Sequence, residues 1–194
     1  SPSLDDLKAM CAAFGTTSAA PMLHVAGHTP EAADFPEPRD VVTVTRADLA
    51  RVWAELNLGP QAIDLVAFGS PHFSLTECRA LADLATGHRA KGTDVIVTVG
   101  QHVLALARAE GTLARLEAFG AQVFPDICWC SITEPIMPRT ARSLMTNSGK
   151  YAHYAPGLSG REVRFGSLAD CAETARSGLA PTSPPDWLRD TENA

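Results

Sequence analysis

From residue 61 onward, short apolar segments alternate with segments of helical periodicity. Four apolar runs have the length of strands: AIDLVAF at 62–68, TDVIVTV at 93–99, AQVFPDI at 121–127 and REVRFG at 161–166. Helical periodicity marks the segments between and after them: 74–85, 101–120 and 167–178. Strands that alternate with helices through short connections form parallel sheets with right-handed crossovers. The pattern therefore predicts an α/β domain over residues 61–178, with a layered, mainly parallel sheet flanked by helices.

The N-terminal residues 1–60 follow a different pattern. Residues 4–14 and 45–56 have helical periodicity, and the segment APMLHVA at 20–26 has the composition of a strand. A Pro-rich, acidic segment at 27–40 lies between them and is too long for a simple connection. We expect this region to pack on the main domain as a segment of helices and one strand.

The C-terminal residues 179–194 show neither period and are rich in proline and polar residues. Because proline lacks a backbone N–H and interrupts helices and central strands, these residues are expected to form an extended tail. Trp187 is the largest apolar side chain of the tail. We expect it to dock the tail on the domain. Gly178, just before the tail, is a residue typical of helix ends.

The charge and composition exclude several classes of protein. The 194 residues include 16 lysines and arginines against 22 aspartates and glutamates, a net charge of −6, with no basic cluster. Proteins that bind nucleic acids or anionic membranes carry basic surfaces, so neither partner is expected. No uncharged apolar run approaches the roughly 20 residues of a membrane-spanning helix, and residues 1–10 lack the features of a signal peptide. These observations predict a soluble, cytoplasmic protein.

The five cysteines are odd in number and irregularly spaced, which argues against a disulfide framework. Cys78 and Cys171 lie on the apolar faces of predicted helices and are expected in the core. Cys128 and Cys130 instead follow a predicted strand, in a loop. A Cys-x-Cys pair alone is a weak metal signal, because three or four ligands are usually needed. If Cys128 binds a metal, the other ligands come from distant segments.

His72 and Ser74 lie where the first of these strands leads into a helix. In parallel sheets, ligands bind beyond the carboxyl ends of the strands, where helix N-termini offer unpaired N–H groups. Ser74 and Glu77 have the spacing of a capping box, which accounts for the helix start by itself. His72 has two interpretations: its ring either reaches into a ligand-binding cleft or is a satisfied structural histidine.

The segment MTNSGKYAHY at 145–154 concentrates hydrogen-bond donors ahead of a run that could start a helix. Backbone and hydroxyl donors together with Lys150 are suited to hold a carboxylate or a phosphate. The spacing is not that of a phosphate-binding P-loop. The alternative interpretation is an Asn-Ser-Gly turn with a solvated lysine.

These segments resemble, in order, the large subunit or large-subunit region of the aconitase X family. The matching pieces are GHTPEA at 27–32, DLVAFGSPHFSLTE at 64–77, DICW at 126–129, MTNSGKYAHYAPG at 145–157 and VRFGSLADCAETARSG at 163–178. The resemblance extends over about residues 11–178, and the shared order of its pieces makes it specific. It implies an aconitase-like α/β domain and a dehydratase that removes water from a small hydroxy acid with the help of iron.

The resemblance also implies roles for individual residues. Cys128 matches the cysteine of the family's Asp-x-Cys segment and is the expected ligand of an iron–sulfur cluster, of the two-iron, two-sulfur type, or of a mononuclear iron. His72 and Ser74 match the family's Pro-His-x-Ser turn and are the expected catalytic residues. The substrate carboxylate is expected to bind to the Thr-Asn-Ser-x-Lys segment, here Thr146, Asn147, Ser148 and Lys150.

Members of the family are cis-3-hydroxy-L-proline dehydratases in bacteria and phosphomevalonate dehydratases in archaea. The segment GSPHFS at 69–74 favours the bacterial branch, whose product is 1-pyrroline-2-carboxylate, with phosphomevalonate as the alternative substrate. Ser70 stands where many members have cysteine, which leaves the type of metal centre open. It also leaves a second alternative, a non-catalytic anion-binding or regulatory domain that has lost its metal.

The length of the chain is a further departure, because the family's large region is considerably longer. The chain resembles the C-terminal half of that region and does not begin with methionine, so we expect it to be a piece of a longer protein. The partners implied are the N-terminal half of the large region and the small swivelling domain or subunit. In the superfamily that small domain carries the catalytic serine, and the remaining metal ligands are expected elsewhere too.

Overall fold

The computed structural model describes residues 1–18, 20 and 22–189. The strands are β1 Leu65–Phe73, β2 Asp94–Val99, β3 Ala121–Pro125, β4 Ser143–Thr146 and β5 Glu162–Phe165. The helices are α1 Leu4–Thr17, α2 Arg46–Glu55, α3 Leu75–Leu84, α4 Gln101–Glu110, α5 Thr112–Phe119, α6 Gly149–Ser159, α7 Leu168–Ser177 and α8 Asp186–Arg189. A single 3-10 turn, Pro30–Asp34, interrupts the Pro-rich segment.

The strands form one five-stranded sheet in the order β3-β2-β1-β4-β5, and every neighbouring pair is parallel. Strand β1 is central, with Leu65 opposite Asp94 of β2 and Leu144 of β4. Such a strand is covered on both faces, which explains why its sequence is almost continuously apolar. The predicted layered α/β fold with a parallel sheet is confirmed.

Two apolar layers cover the sheet. Val66 and Phe68 of β1 face one layer, formed with α3, α4, α5 and α7, whereas Leu65 and Ala67 face the other. The second layer consists of α6 and the connection between β3 and β4, which contributes Trp129. Full burial of a large apolar side chain stabilises a fold by about 1.5–3 kcal/mol. Both layers therefore hold the carboxyl ends of the strands in fixed positions.

The apolar period over 101–120 predicts one helix, but the structure has two. Gly111 has a left-handed backbone, with φ of 88°, and ends α4 where α5 begins. The change of direction lets Leu113 and Leu116 reach the same apolar layer as Leu104. A continuous helix would direct Leu113 and Leu116 away from the sheet.

The N-terminal strand expected at 20–26 is wrong for the residues described there, 20 and 22–26, which form no strand. The carbonyl of Val25 accepts hydrogen bonds from the N–H groups of His28 and Thr29. The Thr29 hydroxyl in turn accepts from the N–H of Val25 at 2.8 Å. The backbone groups that a strand would offer to a neighbour are thus used in a local turn.

The N-terminal helix α1 packs against α6 and β1. The tail differs from the prediction in two ways: Asp186–Arg189 form the short helix α8 rather than an extended chain, and Leu188 is buried whereas Trp187 is 55% exposed. Residues 190–194 of the predicted tail lie outside the described residues. Among the described residues, no helix has both the length and the apolar character needed to cross a lipid bilayer.

Candidate active site

The strand order predicts a crevice at the centre of the sheet, beyond the carboxyl ends of β1 and β4. The chain leaves β1 toward β2 on one side, and β4 lies on its other side. Ligands of open parallel sheets bind at such a switch point, because the connections diverge there and leave a cleft. One hydrogen bond joins its two sides, because the Ser148 hydroxyl donates to the carbonyl oxygen of Ser70.

Unpaired buried polar atoms lie beside this crevice. The Ser70 hydroxyl and the Asn147 side-chain carbonyl have no hydrogen-bond partner among the described residues, and Ser70 is only 5% exposed. A buried polar group without a partner costs about 1–3 kcal/mol. Such a cost is tolerated where a ligand supplies the missing partner. These two atoms make the crevice the candidate binding site for a polar molecule.

Ser70 is expected to behave as a functional residue that costs stability. Replacing Ser70 with Ala removes the unpaired hydroxyl, so the free energy of unfolding should stay constant or rise by about 1 kcal/mol. Turnover should fall about tenfold, because the substrate loses one polar contact that contributes about 1 kcal/mol. Urea unfolding and activity assays measure the two effects.

The matched control for Ser70 is Ser143, a buried serine that has partners. Its hydroxyl donates to the carbonyl of Ala62 at 2.8 Å and accepts from the N–H of Asp64 at 3.1 Å. Ser143→Ala should therefore lower the free energy of unfolding by about 1–2 kcal/mol. An equal loss of stability in Ser70→Ala would show that the Ser70 hydroxyl is a structural group.

The N-terminus of α6 faces this crevice with unpaired donors. The Ser148 hydroxyl caps the helix by accepting from the N–H of Tyr151 at 3.0 Å. The N–H groups of Gly149 and Lys150 lie in the first turn and have no intrahelical acceptor. In the described part of the chain, no carboxylate or carbonyl pairs with the Lys150 ammonium group. Helix N-termini attract anions, so this end of α6 suits a carboxylate.

Two of the four residues predicted to bind the substrate already have hydrogen-bond partners within the chain. Thr146 is fully buried at the end of β4, and its hydroxyl accepts from the N–H of Ser148 at 3.2 Å. The Ser148 hydroxyl accepts from the N–H of Tyr151 and donates to the carbonyl oxygen of Ser70. Their side chains shape the turn, whereas Asn147 and Lys150 remain available to a ligand.

His72 lies at the end of β1, across the crevice from this turn. Its Nε2 atom is 2.8 Å from the carbonyl oxygen of Ile127. Because a carbonyl only accepts hydrogen bonds, Nε2 carries the proton in this contact, which leaves Nδ1 as the other ring nitrogen for a further contact. The ring is thereby held beside Cys128, the residue that follows Ile127 in the chain.

Ser74, the other predicted catalytic residue, has a structural role in this fold. Its hydroxyl accepts from the N–H of Glu77 at 3.1 Å and donates to the Asp5 carboxylate at 2.9 Å. The Glu77 carboxylate accepts from the N–H of Ser74 at 2.8 Å. The capping box predicted at this helix start is confirmed, and the catalytic role of Ser74 stays a prediction.

The cysteines divide into two groups. Cys78 and Cys171 are buried in the core, as predicted, and burial raises the pKa of the Cys78 thiol to about 12. Cys128 and Cys130 are exposed. Partial desolvation and then the adjacent Cys128 thiol raise the pKa of Cys130, while Lys150 acts in the opposite direction. The Lys150 charge therefore acts on the Cys130 thiol, two positions after the predicted metal ligand Cys128.

The thiol pair supplies only part of a metal site. Thiolates are suitable ligands for iron and for iron–sulfur clusters. Within residues 1–18, 20 and 22–189, no three side chains of histidine, cysteine, aspartate or glutamate are grouped so that they could hold a metal ion. The two thiols are ligands of a type that iron accepts, but they could hold an iron centre only together with ligands from outside these residues.

Sequence reasoning did not find the residue that positions the Cys128 loop. Trp129 is 2% exposed; its indole N–H donates to the carbonyl of Phe68 at 2.7 Å, and its ring lies 4.9 Å from that of Tyr151. The loop is therefore fixed to β1 and α6 together. The apolar Trp between two cysteines was the available signal, because exposed loops rarely place a large aromatic residue without a packing partner.

Comparisons with known proteins agree with this geometry. Family models described as the aconitase X second domain and third domain match residues 1–54 and 63–177. The cis-3-hydroxy-L-proline dehydratase of Pseudomonas aeruginosa is 49% identical, over 96% of this chain and 34% of that protein. The enzyme of the same name from Hypocrea jecorina is 46% identical, over 96% of this chain and 33% of that protein.

More distant relatives show the same fold. The phosphomevalonate dehydratase large subunit of Methanosarcina mazei is 30% identical, over 91% of this chain and 43% of that protein. The crystal structure of Thermococcus kodakaraensis aconitase X in its holo-form superposes with a TM-score of 0.79 at 29% identity, covering 89% of this chain and 44% of that one. The chain spans about a third of the length of the hydroxyproline dehydratases it matches. The chain belongs to the aconitase X family.

Proposed function

We propose that this chain is part of a hydro-lyase that dehydrates cis-3-hydroxy-L-proline to 1-pyrroline-2-carboxylate. The relatives named for that activity are 49% and 46% identical to the chain. The phosphomevalonate dehydratase large subunits of Methanosarcina mazei and Methanothermobacter thermautotrophicus are 30% and 33% identical. The difference in identity favours the amino-acid substrate.

The crevice between β1 and β4 supports the same choice. Its buried Ser70 hydroxyl and Asn147 carbonyl are unpaired among the described residues, and the first turn of α6 adds free N–H groups beside Lys150. One ammonium group and a helix N-terminus suit a single carboxylate. A substrate with both a carboxylate and a phosphate would call for further basic side chains.

The reaction removes a proton from the carbon next to the carboxylate, which a base outside these residues, such as the serine expected on the small domain, would accept, and expels the neighbouring hydroxyl group as water. The resulting enamine then becomes the cyclic imine by moving a proton. Lys150 and the first turn of α6 would hold the carboxylate, on which negative charge grows as the proton leaves. His72, with Nε2–H bonded to the carbonyl of Ile127, would use Nδ1 to give a proton to the departing hydroxyl.

An iron centre would be bound through Cys128, with the adjacent Cys130 as a second thiol and the other ligands from outside these residues. When bound, iron supplies a Lewis acid for the departing hydroxyl group. Iron analysis and the visible absorption spectrum of the complete protein, prepared without oxygen, test this assignment. Charge-transfer bands that disappear in Cys128→Ala support it. An iron-free complete protein that still binds the substrate carboxylate would instead favour a binding domain that lost its metal.

The substrate is tested by turnover assays of the complete protein with both candidate compounds. We expect consumption of cis-3-hydroxy-L-proline and formation of 1-pyrroline-2-carboxylate, with no turnover of phosphomevalonate. The opposite preference would place the protein in the other branch, and inactivity of an iron-loaded protein with both would contradict the dehydratase assignment.

Replacing Lys150 with Met is expected to lower kcat/KM about 10- to 100-fold. The change removes a hydrogen bond from a charged group to the carboxylate, which contributes about 1.5–3 kcal/mol, and keeps a side chain of similar length. Steady-state kinetics measures the effect. Lys91→Met is the matched control, since Lys91 is exposed and lies before β2, at the opposite edge of the sheet. Equal kcat/KM values of both variants would show that Lys150 does not bind the substrate.

A further inference from the structure

The N-terminal helix α1 reaches the candidate active site through one lysine. The Lys8 ammonium group donates to the carbonyl oxygen of His72 at 3.0 Å, although the two residues are separated by 64 positions. Lys8 also pairs with the carboxylates of Glu77 and of Asp5, the latter at 3.1 Å. The contact is partly buried, which limits competition from water.

The partners of Lys8 are themselves bonded to the segment that carries His72. The Asp5 carboxylate accepts from the Ser74 hydroxyl at 2.9 Å, and the Glu77 carboxylate accepts from the N–H of Ser74 at 2.8 Å. Both ends of the short segment from His72 to Ser74 are thus tied to α1. Movement of this segment relative to α1 would break several charge-assisted hydrogen bonds at once.

The same helix touches the other half of the crevice. Helix α1 packs along α6, and Ala13 lies so close to Gly149 that an added Cβ atom there would be 3.5 Å from the Ala13 methyl group. Gly149 is the first residue of α6, next to Lys150. One helix therefore spans both sides of the candidate site and sets the distance between them.

We propose that Lys8 is a positioning residue, which holds the backbone carbonyl of His72 and so fixes the imidazole relative to a carboxylate bound at α6. This inference rests on the proposed role of His72 in the dehydration. Misplacement of a reacting group by about 1 Å can lower a rate about 100-fold. The contact made by Lys8 acts on the orientation of the ring and leaves the carboxylate-binding groups untouched.

The test uses the complete protein with three variants: Lys8→Met, Lys8→Arg and Lys91→Met. We expect Lys8→Met to lower kcat about 10- to 100-fold with KM changed less than about twofold. Lys8→Arg keeps the charge and the donors and should recover most of the rate, and Lys91→Met should match the wild type. A general loss of structure would lower the melting temperature and affect KM, so the split between kcat and KM together with rescue by arginine identifies positioning.

A second measurement follows His72 without using turnover. Diethylpyrocarbonate modifies accessible histidines, and peptide mass spectrometry compares His72 with the exposed His88 in one sample. Lys8→Met should raise the modification rate of His72 relative to His88, because the segment around His72 is released. An unchanged ratio, or a normal kcat in Lys8→Met beside an inactive His72→Gln, would overturn the role of Lys8. Full turnover by His72→Gln would instead overturn the role of His72 in the proposed function.

Discussion

Replacing His72 with Gln is expected to lower kcat for the dehydration about 100- to 10,000-fold, the range that one general acid or base contributes. Glutamine can still donate to the carbonyl of Ile127, the partner of the imidazole, but it cannot exchange a proton. The local fold should be retained, so circular dichroism and the melting temperature should change little. Steady-state kinetics of the complete protein with cis-3-hydroxy-L-proline measures the loss.

The matched control for this substitution is His102, an exposed histidine at the start of α4 on the same edge of the sheet. His102→Gln should retain kcat within about twofold, as expected for a surface substitution away from the site. If His72→Gln and His102→Gln have the same activity, His72 is a structural histidine, the alternative that its position in the sequence leaves open.

The largest loss of stability is expected from replacing Gly69 with Ala. Gly69 lies in β1, just before Ser70, with φ of 94°, and an added Cβ atom would lie 2.2 Å from the carbonyl oxygen of Thr98 in β2. That oxygen belongs to the backbone of a buried strand and cannot rotate away. The backbone strain and the overlap each cost about 1–3 kcal/mol. We expect Gly69→Ala to lower the free energy of unfolding, measured in urea, by about 3–5 kcal/mol.

Two other glycines separate the two contributions. Gly87 has φ of 78°, and no atom lies within 4 Å of the position that an added methyl group would take; Gly100 has an ordinary φ of −76° and equally open surroundings. Gly87→Ala should therefore cost about 1 kcal/mol from strain alone, and Gly100→Ala should cost no more than about 1 kcal/mol, from the poorer N-cap of α4. A Gly69→Ala protein as stable as Gly87→Ala would mean that β1 and β2 can separate at this point.

The sequence predicts the layered sheet because four of its strands are apolar runs of six residues or so, bounded by helical segments. It does not predict β4, Ser143–Thr146, because this strand is only four residues long and does not alternate between apolar and polar positions. The strand exists because its neighbours β1 and β5 offer backbone partners on both sides, with Leu144 opposite Leu65 and Val163. Pairing between segments distant in sequence leaves little local signal.

The candidate site shows the same division between local and long-range information. Ser74 and Glu77 lie close in sequence, so their capping box is readable from the sequence alone. The hydrogen bonds from Lys8 to His72 and from Trp129 to Phe68 join positions 64 and 61 residues apart. The sequence around each side chain contains no signal for its distant partner. The unpaired Ser70 hydroxyl is visible only after the surrounding backbone is known, because burial and missing partners are properties of the folded chain.

The central place of β1 also has a consequence for the order in which the protein is made. One edge of β1 pairs with β2, which follows soon afterwards, but the other edge pairs with β4, for instance Val66 with Met145. During synthesis on the ribosome, the most apolar strand of the sheet therefore has one edge without a backbone partner until β4 has emerged. Open apolar edges recruit strands from other chains, so nascent chains that stop between β3 and β4 are the species most exposed to aggregation and most dependent on chaperones.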